Sequence, residues 1–230
     1  MSTLLQLNYS VFQEINTPAG TNPWLDILMI FCANWLIFFF PVILIILWGR
    51  PLRWRKRPIR PGEAELLQES RAVVLWIGIA CLVAYALNLL IEQIVFEPRP
   101  FVTHRVHLLI THAADSSFPS DHSAWAFAVV GLLLLQLLPA CFRIWRKQRT
   151  GQDESHFAIL VWPCFLTGVA VVMACSIGLS RIFVGVHYPG DIVGGLIDGL
   201  VAAAIVTVLY QMLRQPTSVV LRFAYTLHLA

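Results

Sequence analysis

Residues 117–135 read SFPSDHSAWAFAVVGLLLL. A Pro-Ser-Asp-His run at 119–122 stands at the mouth of a long apolar stretch, where charge is costly unless it is used. Pro119-Ser120 marks a helix start with Ser120 as N-cap. The apolar residues that follow make that helix a membrane span. The rest of the chain is of the same kind. It has 230 residues, 58% of them hydrophobic and 13% charged. A soluble domain is about half apolar and about a quarter charged. The expected fold class is therefore all-α, a polytopic transmembrane helix bundle formed by a single domain over residues 1–230.

A span needs about 20 apolar residues. Five are read, at 24–48, 72–95, 121–138, 157–179 and 189–212, with Pro41 kinking the first. Trp24, Trp48, Trp76, Trp162 and Tyr210 lie near span ends, as interfacial aromatics do. Leu4, Leu5, Leu7, Val11, Phe12 and Ile15 can line one face of an N-terminal interfacial helix. The five cysteines lie mostly in apolar runs with no CxxC, which reads as small hydrophobes rather than disulfides or metal ligands. A net charge of +3 without a basic stripe excludes nucleic acid as partner. The sequence leaves the oligomeric state open.

Thirteen of the 16 basic residues fall in the 49–71 loop, the 139–156 loop and the tail after 212. The positive-inside rule then predicts a cytoplasmic C-terminus and an outside N-terminus. Only Arg99, Arg105 and Arg181 remain at the outer face, so each needs a reason.

Three polar clusters share that face: FEPRPF (96–101), FPSDH (118–122) and SRIFVGVHYPGD (180–191). Arg99 and Arg181 can each grip phosphate oxygens bidentately. The first-turn N–H groups after Ser120 form an anion site. His187 and Asp191 are four apart, so a helical turn lets the carboxylate hold one imidazole nitrogen and leave the other free. His122 suits general acid work. Together they make a phosphoryl-transfer site with no obligatory metal.

Here the chain resembles the type 2 phosphatidic acid phosphatase family, whose pattern is Lys-x6-Arg-Pro, Pro-Ser-Gly-His and Ser-Arg-x5-His-x3-Asp. Ser180, Arg181, His187 and Asp191 meet the third part in full. Asp121 replaces Gly in the second, and Glu92 replaces Lys in the first. EPRPFV, HAADSSFPSDH and SRIFVGVHYPGD look most like bacterial undecaprenyl pyrophosphate phosphatases linked to bacitracin resistance. The resemblance implies that His187 is the nucleophile, forming a phosphohistidine, that Asp191 orients it and that His122 protonates the leaving group. It implies that Arg99, Arg181 and Ser120 bind the phosphate, with Ser180 at the edge. Its substrate would be a polyprenyl pyrophosphate lipid, cleaved at the outer face of the bacterial cytoplasmic membrane to recycle the cell-wall carrier. Phosphatidic acid or phosphatidylglycerol phosphate is the alternative substrate, and a headgroup-binding transporter the alternative class.

Glu92 is expected to pair with a site arginine or to reach interfacial water. Asp121 is expected either to turn its side chain away, favoured by the helix dipole, or to recruit a divalent cation accompanying the diphosphate. No cofactor is otherwise implied. The 102–116 loop, with His104, Arg105, His107, His112 and Asp115, fits no standard metal spacing. It reads as a cover over the distal headgroup. Gly190, Gly194, Gly195 and Gly199 form small-xxx-small pairs for close helix approach.

Overall fold

The computed structural model describes residues 3–49, 61–151 and 158–226, which form helices joined by short loops. In chain order these are α1 (Thr3–Asn16), α2 (Pro23–Asn34), a tight helical turn (Leu36–Phe39), α3 (Phe40–Trp48), α4 (Pro61–Glu92) and α5 (Pro100–Thr103). Then come α6 (Asp121–Leu132), a widened π turn (Leu133–Leu137), α7 (Leu138–Arg149), α8 (Ala158–Phe183), α9 (Pro189–Met212) and α10 (Arg214–Thr226). No strand occurs among the described residues.

Among the described residues, four helical stretches are long and apolar enough to cross a membrane: Gly62–Glu92, Asp121–Arg149, Leu160–Phe183 and Pro189–Met212. A fifth candidate is the pair α2 and Leu36–Trp48, bent by 58°. The bend lies upstream of Pro41, not at it. Proline lacks an N–H and its ring crowds the carbonyl four residues earlier, so the disturbance falls at Ile37, within the tight turn. Pro139 acts likewise on the preceding Leu133–Leu137 turn, where the wider π spacing absorbs the lost bond.

Hydropathy placed the span ends too far inward. α4 starts well before 72 because Glu63, Glu65, Gln68 and Glu69 are helix formers that hydropathy does not count. Arg71, read as loop, is buried in α4 and donates from Nε to the Trp48 carbonyl at 3.0 Å. α8 continues to Phe183, so Ser180 and Arg181 sit in its last turn and not in a loop. The basic residues of 50–60 lie outside the described residues. Trp76 and Tyr210 point into the bundle rather than outward. Both are buried, their rings 5.9 Å apart, and the Trp76 indole donates to Thr217 Oγ1 at 3.0 Å. The cysteines are free; Cys141 alone among them is buried, and Cys164 and Cys175 face outward.

α6 is the central helix, with Ser123, Ala124 and every residue from Ala126 to Leu132 buried. Lipid offers no hydrophobic drive between helices, so close backbone approach and polar contacts must hold them. The α9 glycines supply the approach. A Cβ on Gly195 would sit 2.5 Å from the Ser120 carbonyl oxygen, and one on Gly199 2.4 Å from that of Ala124. Gly194 is closed off by the Phe118 ring, 2.4 Å from a Cβ placed there. The stripe therefore packs within the molecule and presses the start of α9 against the start of α6.

α1 splits its apolar face. Phe12 is buried, whereas Leu4, Leu5 and Leu7 are exposed. Its asparagines do the anchoring. Asn16 Nδ2 donates to the carbonyls of His107 (2.9 Å) and Phe183 (2.8 Å), and its Oδ1 accepts from His107 N at 2.9 Å. Asn8 Oδ1 accepts from Gly190 N at 2.8 Å.

Candidate active site

The end of α8 turns sharply. The backbone N–H groups of Val186 and His187 both reach the Arg181 carbonyl, at 3.2 and 3.3 Å. Gly185 takes φ +88°, a left-handed conformation that glycine alone adopts without cost. This turn delivers His187 to the start of α9 and buries it to 2% exposure. Asp191 first serves its own helix, since Oδ2 accepts from Tyr188 N at 2.7 Å. The same oxygen lies 3.3 Å from His187 Nδ1. A nearer partner is the Ser117 carbonyl, 2.9 Å from Nδ1, and the Ser117 hydroxyl donates to Asp191 Oδ2. Two oxygen acceptors at Nδ1 fix the proton there, which leaves Nε2 with a lone pair. Arg99 Nη1 meets Nε2 at 3.1 Å.

Arg99 is buried at 5% exposure. It also donates from Nη1 to the Val186 carbonyl at 3.0 Å and from Nε to Asp115 Oδ1 at 2.7 Å. Its counter-ion is thus Asp115 and not Glu92, which forms no ion pair among the described residues. Glu92 is half-buried at the end of α4, where the chain turns outward before Arg99. Arg181 is buried at 2% exposure, its Nε has no partner, and it forms no ion pair among the described residues. A buried guanidinium without an anion is costly. It marks a place built for one.

Ser120 occupies the N-cap position of α6, but its side chain caps nothing; the buried Oγ has no partner. Its N–H instead reaches the Asp191 carbonyl at 3.1 Å, tying the two helix starts together. The hydroxyl and the first-turn N–H groups of α6 remain for a ligand. Asp121 turns toward α4, where Asn88 Nδ2 donates to Oδ1. His122 is half-buried, its ring 6.5 Å from that of Trp125 and inclined by 26°, with no hydrogen bond among the described residues. Arg99, Arg181 and His112 are all near enough to act on it electrostatically. Ser180 departs from the expected role. It is fully buried and its hydroxyl donates to the Ile177 carbonyl at 2.8 Å, inside its own helix.

The sequence names His112 and Asp115 only as parts of a loop covering the headgroup, with no contact assigned to either, and gives Ser117 no site role. All three lie on the loop between α5 and α6. That loop is fastened by Asn16 at His107, by Leu109 N to Val184 O at 3.1 Å and by Ser117 N to Glu97 O at 2.7 Å. Asp115 at 16 residues from Arg99 carried an opposite charge, the one signal that could have exposed the pair. No three His, Cys, Asp or Glu side chains gather as a metal cluster among the described residues.

Burial, and then the charges of Arg181 and Arg99, hold the His187 imidazole well below its ordinary pKa. Burial and Arg99 also lower the pKa of His112. The resting site therefore holds a neutral His187 imidazole with Arg99 at its Nε2 and the charge of Arg181 near enough to act on it.

A buried, oriented imidazole beside two arginines and a helix N-terminus defines a phosphoryl-transfer centre in a membrane bundle. The PAP2 superfamily model matches residues 73–215, and the chain belongs to that superfamily. Undecaprenyl-diphosphatase BcrC of Bacillus subtilis (strain 168) is 33% identical over 195 residues, 85% of this chain and 80% of that protein. Putative undecaprenyl-diphosphatase YbjG of Escherichia coli (strain K12) is 28% identical over 208 residues, 90% of this chain and 85% of its own length. The crystal structure of a transmembrane PAP2 type phosphatidylglycerolphosphate phosphatase from Bacillus subtilis shares the fold. Its TM-score is 0.58 at 19% identity, covering 94% of this chain and 90% of that one. The chain is a lipid phosphatase of the membrane, a hydrolase by family.

Proposed function

We propose that this chain is an undecaprenyl-diphosphatase, releasing inorganic phosphate from undecaprenyl diphosphate and so recycling a cell-wall lipid carrier. The names of the relatives that span most of the chain support the substrate. The observation that carries the chemistry is the pair formed by His187, its Nδ1 proton fixed by Ser117 and Asp191, and Arg181, buried without an anion.

In this reading the terminal phosphate enters against Arg181, Arg99, Ser120 Oγ and the N–H groups of α6. Arg99 moves from His187 Nε2 onto a phosphate oxygen. Nε2 attacks the terminal phosphorus as the bridging P–O bond breaks. His122 gives its proton to the departing bridging oxygen, and undecaprenyl phosphate leaves. Water then attacks the phosphohistidine, His122 takes the proton, and inorganic phosphate departs with His187 restored. Positioning and charge stabilisation account for most of the acceleration in such transfers. The arginines and helix N–H groups supply the charge, so turnover should persist in excess chelator. Loss of turnover there would return the divalent cation to the mechanism.

The distribution of basic residues supports a site at the outer face of the cytoplasmic membrane, with the N-terminus outside. The lipid tail then stays in the bilayer while its diphosphate lies at headgroup height.

The deciding experiment is phosphate release from undecaprenyl diphosphate by the purified chain in detergent, beside His187→Ala and with phosphatidic acid as rival substrate. Fast release, lost in the variant and poor with phosphatidic acid, is expected. Preference for phosphatidic acid would keep the chemistry and overturn the substrate. No release from either lipid would favour a headgroup-binding transporter.

A further inference from the structure

His112 faces the nucleophile. Its ring lies 6.3 Å from that of His187, the planes at 71°. The loop that carries it is held on both sides, by Asn16 and Val184 before it and by Glu97 and His187 after it. Its Nδ1 is occupied from its own loop, with the Ala113 carbonyl at 3.2 Å and Asp115 Oδ1 at 3.8 Å. Asp115 in turn grips Arg99. Nε2 has no partner among the described residues. A loop histidine that merely satisfied its neighbour would not need fastening on two sides, nor a carboxylate shared with a site arginine.

We propose that His112 is a phosphate-binding residue of this site, donating from Nε2 to an oxygen of the phosphoryl group that His187 attacks. The proposal rests on the function proposed above for the lipid, though not for the phosphate. The charged and titratable groups around His112 are Arg99, Arg181, Asp115, His122 and His187. In the free site burial, and after it the Arg99 and Arg181 guanidiniums, disfavour the charged imidazole. A phosphate dianion offsets them, and the ring takes a proton from solvent at Nε2 while Nδ1 keeps its own.

The test uses the full chain in detergent and inorganic phosphate as probe, read as inhibition and as protection against thermal unfolding. Undecaprenyl diphosphate turnover is followed in parallel. A hydrogen bond to a charged group is worth about ten- to a hundredfold in binding. H112A should weaken phosphate by that factor and lower kcat/KM similarly. H112Q, which keeps an N–H donor near the same place, should recover much of both. Unchanged phosphate binding in H112A overturns the proposal, as does equal loss in H112A and H112Q with a lowered melting temperature in each. A wild-type chain that binds phosphate through His112 yet cleaves no lipid diphosphate would overturn the substrate and leave this inference standing.

Discussion

The Ser117 carbonyl lies 2.9 Å from His187 Nδ1, closer than the Asp191 carboxylate at 3.3 Å. The imidazole is therefore held by a backbone oxygen from one helix start and a carboxylate from another. Losing Asp191 should not by itself free the ring. Asp191→Asn is expected to lower kcat by about a hundredfold, within the usual reach of one positioned acid–base partner, yet leave activity above that of His187→Ala. Ser117→Ala, which keeps the carbonyl and loses the hydroxyl, should cost about tenfold. Steady-state kcat for the three variants checks the order. Equal loss in all three would mean that the carbonyl contributes nothing to orientation.

Neutral His187 has a consequence for pH. Its folded pKa is held well below the ordinary 6.5. As pH falls through the unfolded value, the unfolded chain takes up a proton that the folded chain refuses, and stability drops. The loss is at most about 1.4 kcal/mol per pH unit for each such group. Melting temperature in detergent should fall from pH 7 to 5.5, less steeply in His187→Gln. Identical slopes would show that the ring titrates alike in the folded and unfolded chains and is not held neutral by the fold.

Gly199 tests the helix contact. A Cβ there meets the Ala124 oxygen at 2.4 Å and the Ala128 nitrogen at 2.7 Å, both backbone and unable to yield. Gly199→Ala should destabilise the chain by about 1–3 kcal/mol and reduce activity by shifting α9 against Ser120. Gly168→Ala, with nothing within 4 Å, is the control and should be neutral or better. Thermal unfolding and turnover of both variants decide it.

Asn16 is buried at 3% exposure and bonds three backbone groups, at His107 and Phe183. Asn16→Ala leaves those groups dry and should cost about 1–3 kcal/mol. Hydrogen exchange at 105–110 should quicken before global unfolding does. Protection unchanged from wild type would show that α1 does not hold the loop.

The helical class and four of the five spans were legible because apolar length is a local property, the fifth being the bent pair before Trp48. The His187–Asp191 pair was legible because four residues make one helical turn. Ser117 was not, because its contribution is a backbone carbonyl, which has no residue signature. Asp115 was not, because a charge in an exposed loop looks like any other until the fold brings it to Arg99. Helix ends were misplaced where Glu63 to Arg71 and Ser180-Arg181 continue a helix beyond the apolar run. Ser180 was misassigned because its hydroxyl can serve its own helix as readily as a ligand.

Arg99 resting on His187 Nε2 at 3.1 Å also says something about the idle enzyme. Under the proposed mechanism this contact covers the attacking lone pair at rest, and an incoming phosphate would have to draw the guanidinium off before reaction. A nucleophile sheathed in this way would be spared by stray electrophiles and bared by the charge of its own substrate.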